Sequence, residues 1–263
     1  MNTAALQPRT VQSAALRAPR IAVVIPCYNE AQSIGKVVRD FAAALPEAEI
    51  YVYDNNSSDR TAEIAQAHGA IVRREVRQGK GNVVRRMFAD VEADVYVMVD
   101  GDDTYDAASA RRLVAELVNK QLDMVTCART SAWERYRRGH RFGNILLTSL
   151  VTSVFGRDTE DLLSGYRAFS RRFVKSFPLL TTGFEIETEL TVHALDMRVP
   201  VGEIQSPYTD RAPGSVSKLS TFRDGFRILA LIARLVKEER PFAFFAALGA
   251  VLFLAAVVLA IPI

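Results

Sequence analysis

The chain has 263 residues and 49% hydrophobic composition, enough for one large domain or one domain with an appendage. The formal net charge of +3 does not indicate a generally basic surface, so we expect no nucleic-acid partner. Two cysteines and three histidines supply neither a disulfide framework nor a zinc site.

Strands and helices alternate through the first half of the chain. Short apolar runs predict strands at 21–26, 49–54, 70–75, 94–100 and 122–128, and helical spacing follows at 30–45, 60–68, 83–91 and 106–120. This alternation predicts an open, largely parallel α/β sheet. Because ligands of such sheets bind beyond the carboxyl ends of the strands, the polar loops there should converge on one crevice. Those loops read PCYNE, DNNSSD, RQGKGN and DGDD.

The region after residue 130 follows a different pattern. A basic stretch, 135–141, leads into an apolar run, and a further helix is predicted at 184–197. Residues 218–239 are amphipathic, with Phe222, Phe226, Leu229, Ile232 and Val236 on one side. This pattern favours a helix lying in a membrane interface, and a helix packed on the domain is the alternative.

Residues 241–263 carry no charge over 23 positions. At a rise of ~1.5 Å per residue, such a helix can cross a hydrocarbon core of ~30 Å. By the positive-inside rule, the flank Lys237–Arg240 predicts that the preceding domain lies on the cytoplasmic side of a cell membrane, the inner one where there are two. The first 20 residues lack the apolar core of a secretory signal and predict a disordered tail.

Four aspartates follow the fourth predicted strand within seven residues: Asp100, Asp102, Asp103 and Asp106. Clustered carboxylates on a tight turn suit a hard divalent cation such as Mg²⁺ or Mn²⁺, and Gly101 would let Asp100 and Asp102 face one side. A solvated acidic turn is the plain alternative, but the position after a buried strand favours the metal. Asp106 stands where the next helix begins and predicts an N-cap.

The loops after the first two strands carry groups suited to a nucleotide. Asp54 can accept hydrogen bonds from a nucleobase, Tyr28 can stack on it, and Glu30 can accept from a ribose or serve only as the acid of a first helical turn. The chain has neither a GxGxxG after its first strand nor a GxxxxGK[ST] motif. This argues against a dinucleotide oxidoreductase and a P-loop NTPase.

Together these segments resemble family 2 glycosyltransferases of the GT-A fold, and more closely the polyprenyl-phosphate and dolichyl-phosphate sugar synthases. The segments that carry the resemblance are IAVVIPCYNE, YVYDNNSSDRT, GKGN, VDGDDTYD, SGYRAFSRR and GFEIETEL. The resemblance spans residues 21–239. It implies a nucleoside-diphosphate sugar donor, a polyprenyl-phosphate acceptor in a lipid bilayer, inversion at the anomeric carbon, a Mg²⁺ or Mn²⁺ cofactor and a homotetramer. Bacterial members favour UDP over GDP, and the sugar is left open.

The resemblance also implies roles for individual residues. Asp100 and Asp102 would bind the metal, with Asp102 catalytic as well, and the family's third contact is replaced here by Thr104, so Asp103 or water would serve. Arg129 and two arginines of a mobile acceptor loop, Arg138 and Arg141, would bind the acceptor phosphate. The donor would contact Pro26, Tyr28, Glu30, Asp54, Lys80, Asp100, Arg211 and Lys218.

The composition of the two ends and the resemblance together divide the chain into a tail (1–20), a GT-A catalytic domain (21–217), a juxtamembrane helix (218–240) and a transmembrane helix (241–263). Three other functions were weighed. A processive polysaccharide synthase would need a Q-x-x-R-W motif, which the chain lacks. A transferase to a saccharide or protein hydroxyl would need a general base, for which Glu185, Glu187 or Asp161 could serve. A non-catalytic scaffold would not require the acidic pair.

Overall fold

The structure is a computed structural model that describes residues 18–130, 148–149, 151–152, 161–211, 218 and 221–260. The predicted acceptor arginines Arg138 and Arg141, and the first 17 residues, lie outside the described residues. The strands are β1 (Ile21–Cys27), β2 (Glu49–Asp54), β3 (Ile71–Arg74), β4 (Val95–Met98), β5 (Met124–Arg129), β6 (Arg167–Ser170) and β7 (Val201–Ser206). The helices are α1 (Ile34–Ala44), α2 (Thr61–Ala67), α3 (Lys80–Asp90), α4 (Ala110–Asn119), α5 (Arg171–Ser176), α6 (Ile186–Asp196), α7 (Thr221–Glu239) and α8 (Pro241–Ala260), with a 3₁₀ turn at Ala107–Ser109.

The seven described strands form one sheet in the order β3-β2-β1-β4-β6-β5-β7. β6 runs antiparallel to both of its neighbours, and every other pairing is parallel. The carboxyl ends of six strands therefore lie along one edge, which confirms the predicted α/β sheet and places the polar loops together.

Helices cover both faces of this sheet, as the alternation of side chains in β1 illustrates. Val23 and Ile25 pack in the cluster that contains α1 and α4, whereas Ala22 and Val24 pack in the cluster that contains α3 and α6. All four side chains are buried, which is typical of a strand in the middle of a parallel sheet.

The structure differs from the sequence prediction in the number of strands and in several helix starts; α4, for example, begins at Ala110 after a 3₁₀ turn and not at Asp106. β6 and β7 were not predicted. Helix α1 begins at Ile34, after a turn, and not at Glu30. Helix α3 begins at Lys80, three residues before the predicted start, because Gly79 turns the chain with a φ of 127° and its N–H donates to the Asn55 side chain.

Helix α7 packs on the domain through one part of its apolar surface and leaves another part open. Ile228 and Ile232 are buried beside Val192 of α6, whereas Phe226 is 73% and Leu229 47% exposed. The predicted apolar stripe is therefore divided between two environments, with Ile232 on the packed face and Phe226 and Leu229 on an open one. The alternative of a helix packed on the domain describes the first of these faces.

Helix α8 has the length and composition of a membrane span. The most apolar 18-residue window of this 20-residue helix has a mean hydropathy of 2.7, and none of that window is buried within the described part of the chain. At ~1.5 Å per residue the helix is ~30 Å long, which matches the hydrocarbon thickness of a bilayer. A helix that is apolar all round and has no buried residue among the described ones is a candidate for lipid contact.

Candidate active site

The acidic turn after β4 presents Asp100 and Asp102 to two cations of the chain. Asp100 Oδ1 lies 2.5 Å from Lys80 Nζ, and Asp102 Oδ2 lies 2.6 Å from Arg211 Nη2. Burial and the neighbouring Asp100 raise the pKa of the Asp102 carboxyl, although Arg211 and a hydrogen bond from Thr104 oppose the shift. Gly101 is needed for space at this turn, since a Cβ there would meet Cys27 Sγ at 2.6 Å.

The other two aspartates have separate partners. Asp103, in a left-handed conformation with a φ of 60°, faces Lys36 at 2.7 Å. Asp106 accepts a hydrogen bond from the Ala108 backbone N–H at 3.2 Å, which confirms its predicted capping role. Asp103 does not join Asp100 and Asp102 in this structure, so the suggestion that it completes a metal shell is not supported by its contacts.

Thr104 holds Asp102 in place. Its hydroxyl donates to Asp102 Oδ1 at 2.6 Å, and its backbone N–H lies 3.3 Å from the same oxygen. The residue that departs from the family pattern therefore fixes the orientation of the second aspartate. This leaves Oδ2 as the oxygen that faces Arg211.

Lys80 lies in a buried ion-pair cluster that the sequence prediction did not assemble. Its ammonium contacts both Asp100 and Glu187 of α6. Burial lowers the pKa of Lys80, but the two carboxylates outweigh it and raise the pKa overall. Glu187 was considered only as a general base. Its contact with Lys80 joins α6 to the acidic turn, and nothing in the spacing of the sequence could have indicated that contact.

The loop that carries Lys80 lies close against the chain at Thr181 and Thr182. The Gly81 N–H donates to the Thr182 carbonyl at 3.1 Å, and a Cβ at Gly79 or Gly81 would collide with these carbonyls. The two glycines of the GKG segment thus allow backbone contact on both sides of Lys80. They fix the loop that positions its ammonium.

The predicted nucleoside residues lie at the ends of β1 and β2. Asp54 and Glu30 are buried, whereas Tyr28 is 39% exposed, and Pro26 is the second-last residue of β1. Glu30 Oε1 accepts from Lys218 Nζ at 2.6 Å. Burial raises the pKa of Glu30, although Lys218 opposes that shift.

Asn55, which the sequence prediction missed, ties this region to the GKG loop. Its side chain donates to the carbonyls of Glu75 and Arg77 at 2.9 and 2.8 Å and accepts from the Gly79 N–H at 2.7 Å. The amide therefore connects the end of β2 to the loop that carries Lys80. A DNN sequence after a strand is the signal that could have suggested such a role.

Arg129, the predicted acceptor arginine at the end of β5, pairs with Asp161. Its Nε and Nη2 atoms lie 2.6 and 2.7 Å from the two carboxylate oxygens, and both side chains are largely buried. Burial alone would raise the pKa of Asp161, but Arg129 outweighs it and lowers the pKa. The guanidinium also lies 5.3 Å from the Tyr208 ring centroid. The Nε–Nη2 edge that suits a phosphate is thus held by a carboxylate of the chain.

The residues present fit a divalent metal that takes most of its ligands from elsewhere. Within the described ranges, no group of three or more His, Cys, Asp or Glu side chains is arranged to hold a metal. Asp100 and Asp102 are two hard oxygen donors, and Mg²⁺ sites commonly combine one or two carboxylates with substrate phosphates and water. The site therefore fits an ion shared with a diphosphate and not a metal cage built by the protein alone.

The sheet order and the acidic pair after β4 define a glycosyltransferase of the GT-A type. The chain belongs to glycosyl transferase family 2, whose model matches residues 22–177. It is 56% identical over 123 residues, 46% of this chain and 95% of the other, to protein RfbJ of Shigella flexneri. It is 31% identical over 221 residues, 84% of this chain and 95% of the other, to a dolichyl-phosphate hexose transferase of Haloferax volcanii.

Solved structures agree with this assignment. The crystal structure of glucosyl-3-phosphoglycerate synthase from Mycobacterium tuberculosis, in complex with phosphoglyceric acid, superposes with a TM-score of 0.68 at 25% identity. The match covers 84% of this chain and 80% of that one.

Proposed function

We propose that the protein transfers a sugar from a nucleoside-diphosphate sugar to a polyprenyl phosphate, with inversion and with the aid of Mg²⁺ or Mn²⁺. The observation that carries this proposal is the placement of Asp100 and Asp102, each beside a cation, at the edge where Asp54 and Glu30 also lie. That arrangement suits a nucleotide whose diphosphate would contact a metal held by the two carboxylates and also the neighbouring basic side chains.

The acceptor class is supported by two further observations. A relative that is similar over nearly its whole length is named a dolichyl-phosphate hexose transferase. Helix α8 would keep the domain at the membrane, where a polyprenyl phosphate presents its phosphate. We place the catalytic domain on the cytoplasmic face of the cell membrane, the inner one where there are two, because of the basic flank that precedes α8.

The reaction needs little proton transfer. A phosphate monoester has a second pKa of about 6, so at neutral pH its oxygen is already ionised and can attack the anomeric carbon. The new carbon–oxygen bond forms on the face opposite the leaving diphosphate, whose own bond to that carbon breaks with the electron pair. When bound, the metal would act as a Lewis acid on the diphosphate. Lys80 and Arg211 would hold and neutralise it.

Transfer to a saccharide or protein hydroxyl remains the second candidate, and the structure changes its choice of base. Asp161 is held by Arg129 with a lowered pKa, and Glu187 is held by Lys80. Glu185 has a buried Oε2 that lacks a hydrogen-bond partner in the described part of the chain. A hydroxyl acceptor would therefore depend on Glu185, which the phosphate acceptor does not need.

One experiment separates these functions. The protein is incubated with undecaprenyl phosphate, Mn²⁺ and a panel of UDP- and GDP-sugars, and the lipid products are identified by mass spectrometry. We expect a polyprenyl-phosphate hexose with a UDP-sugar donor. A product only with GDP-mannose would redirect the donor assignment. A glycosylated hydroxyl acceptor, or no turnover with any donor, would overturn the proposal in favour of the second candidate or of a scaffold.

A further inference from the structure

Arg211 reaches the acidic turn because the chain after β7 runs alongside it. Tyr208 forms an isolated antiparallel bridge with Tyr105, and the Thr209 N–H donates to the Thr104 carbonyl at 2.9 Å. Arg211 follows two residues later and lies on Asp102. Backbone pairing with the turn that carries Asp102 thus brings this guanidinium to it.

The contact uses the oxygen that a metal would need. Thr104 binds Oδ1 of Asp102, and Oδ2 faces Arg211 at 2.6 Å. The Asp102 side chain is 4% exposed, and Arg211 covers its Oδ2 side. A guanidinium and a divalent ion cannot occupy that side together.

The two cations of the site differ in how firmly they are held. Lys80 is buried between two carboxylates, Asp100 and Glu187, with its side chain 10% exposed. The Arg211 side chain is 29% exposed. Because Arg211 is the more exposed of the two cations, water can solvate its guanidinium more readily, and Arg211 is the cation that can leave.

Charge balance favours the exchange once a metal arrives. Three carboxylates (Asp100, Asp102 and Glu187) face two cations (Lys80 and Arg211), which leaves one negative charge. A divalent ion in place of Arg211 makes this cluster neutral. The released guanidinium then lies beside the diphosphate, for which its planar fork is well suited.

We propose that Arg211 is an exchangeable counter-ion: it occupies the metal-facing oxygen of Asp102 in the free protein and moves to the donor diphosphate when metal and nucleotide bind. This deepens, and rests on, the proposed function. Arg211 then opposes the binding of metal alone and favours the binding of metal with nucleotide. The protein would bind the ion tightly only together with its donor, and by linkage each would strengthen the other.

The test measures binding and needs no turnover. Mn²⁺ is titrated into the full chain in detergent and the free ion is followed by electron paramagnetic resonance, with and without UDP. We expect Arg211→Gln to bind Mn²⁺ about tenfold more tightly than wild type without UDP, and to bind UDP about tenfold more weakly with Mn²⁺ present. Arg211→Lys keeps the positive charge and should stay close to wild type without UDP.

Two control variants each remove one positive charge, as Arg211→Gln does. Lys218→Gln removes a cation from the same crevice but from Glu30, and it should change the affinity for Mn²⁺ alone by less than about threefold. Arg172→Gln removes an arginine from another buried aspartate, Asp123, at the start of β5, and should change nothing in either titration. Thermal unfolding of each variant verifies that the fold is intact.

The outcomes separate this inference from the function on which it rests. If wild type binds Mn²⁺ with UDP but Arg211→Gln binds Mn²⁺ alone no more tightly than wild type, the exchange is wrong and the transferase proposal stands. If Lys218→Gln raises the affinity for Mn²⁺ as much as Arg211→Gln does, the effect comes from the overall positive charge of the crevice. The direct exchange of Arg211 for the metal is then wrong. If wild type fails to bind Mn²⁺ even with UDP, the metal-dependent function itself is overturned.

Discussion

Gly165 lies directly against Asp100, so closely that a Cβ added to Gly165 would overlap the Asp100 carboxylate. The Gly165 N–H donates to the Tyr105 hydroxyl at 2.9 Å, which fixes the backbone at that point. Lys80 holds the same carboxylate from another side. The first aspartate of the acidic pair is therefore confined between a fixed backbone and a buried ammonium.

Gly165→Ala should impair transfer more than it impairs folding. The new methyl group must displace the Asp100 carboxylate, and a displacement of about 1 Å at a reacting site can cost roughly a hundredfold in rate. We expect a loss of about that size in kcat, with a change of ~1 kcal/mol or less in the free energy of unfolding. Gly225→Ala is the matched control, because a Cβ there meets nothing within 4 Å. Equal losses in both variants would contradict this account of Gly165.

Asp102→Asn should abolish transfer and leave the fold intact. Asn has the same size and can still accept from Thr104, and it removes a charge whose burial is unfavourable. Asp103→Asn is the control from the same turn. Its partner, Lys36, is 55% exposed, and such surface pairs contribute only about 0–1 kcal/mol. The rate of product formation should differ between the two variants, and thermal unfolding should show that both are folded. Similar activity in both would mean that the turn is only an acidic turn and that Asp102 has no special role in transfer.

Lys80→Met should destabilise the fold far more than Glu187→Gln does. Methionine leaves the buried Glu187 and the partly exposed Asp100 without their shared cation, which costs about 3–5 kcal/mol, mainly at Glu187, whereas glutamine leaves Lys80 paired with Asp100. Denaturant unfolding in detergent measures both. The deficit of Lys80→Met should shrink as the pH is lowered, because burial raises the pKa of Glu187 and a proton can then replace the missing charge. A deficit independent of pH would argue against this electrostatic cause.

The sequence predicted those parts of the fold whose signal is local. β2 was predicted at its observed bounds, because β-branched and aromatic residues alternate there between clear turn signals. β6 is four residues long, and its Arg167 reads as polar although it is fully buried. That guanidinium donates to the carbonyls of Leu162 and Ser164 and to the hydroxyl of Thr191. Only the tertiary structure supplies those acceptors, so no local pattern could reveal the strand.

The candidate site shows the same division. Asp100 and Asp102 could be found because their motif is contiguous and follows a strand. Glu187 and Gly165 could not, because they lie more than sixty residues further along the chain and reach Asp100 through β6 and α6. The resemblance to a family predicted that Arg211 binds the donor, but it did not predict the contact of Arg211 with Asp102. That contact depends on the path of the chain after β7.

The two faces of α7 should respond differently to the same loss of side-chain volume. Ile232 is 1% exposed in the cluster beside α6, and its replacement by Ala should lower the free energy of unfolding by about 2–5 kcal/mol. Leu229→Ala, on the open face, should change it by about 0.5 kcal/mol or less. Thermal and denaturant unfolding in detergent measure the difference. A larger effect at Leu229 would show that the face with Phe226 and Leu229 is the one that packs on the domain.

Asp161→Asn should destabilise the protein in a manner that depends on pH. Arg129 lowers the pKa of the Asp161 carboxyl below its ordinary 3.8, so the folded state binds the proton less readily than the unfolded state. The stability from this pair is therefore fully present above pH ~4 and is lost as the pH falls through the lowered value. We expect the variant to be about 3–5 kcal/mol less stable than wild type at pH 7 and the difference to narrow only below pH ~4, as measured by denaturant unfolding across pH. The comparison also bears on Arg129, because a guanidinium freed from Asp161 has its Nε–Nη2 edge open to a phosphate. If the difference in free energy of unfolding between wild type and variant narrowed near neutral pH, the pKa of Asp161 would have to be raised. Arg129 and Asp161 could not then be the buried ion pair that their geometry indicates.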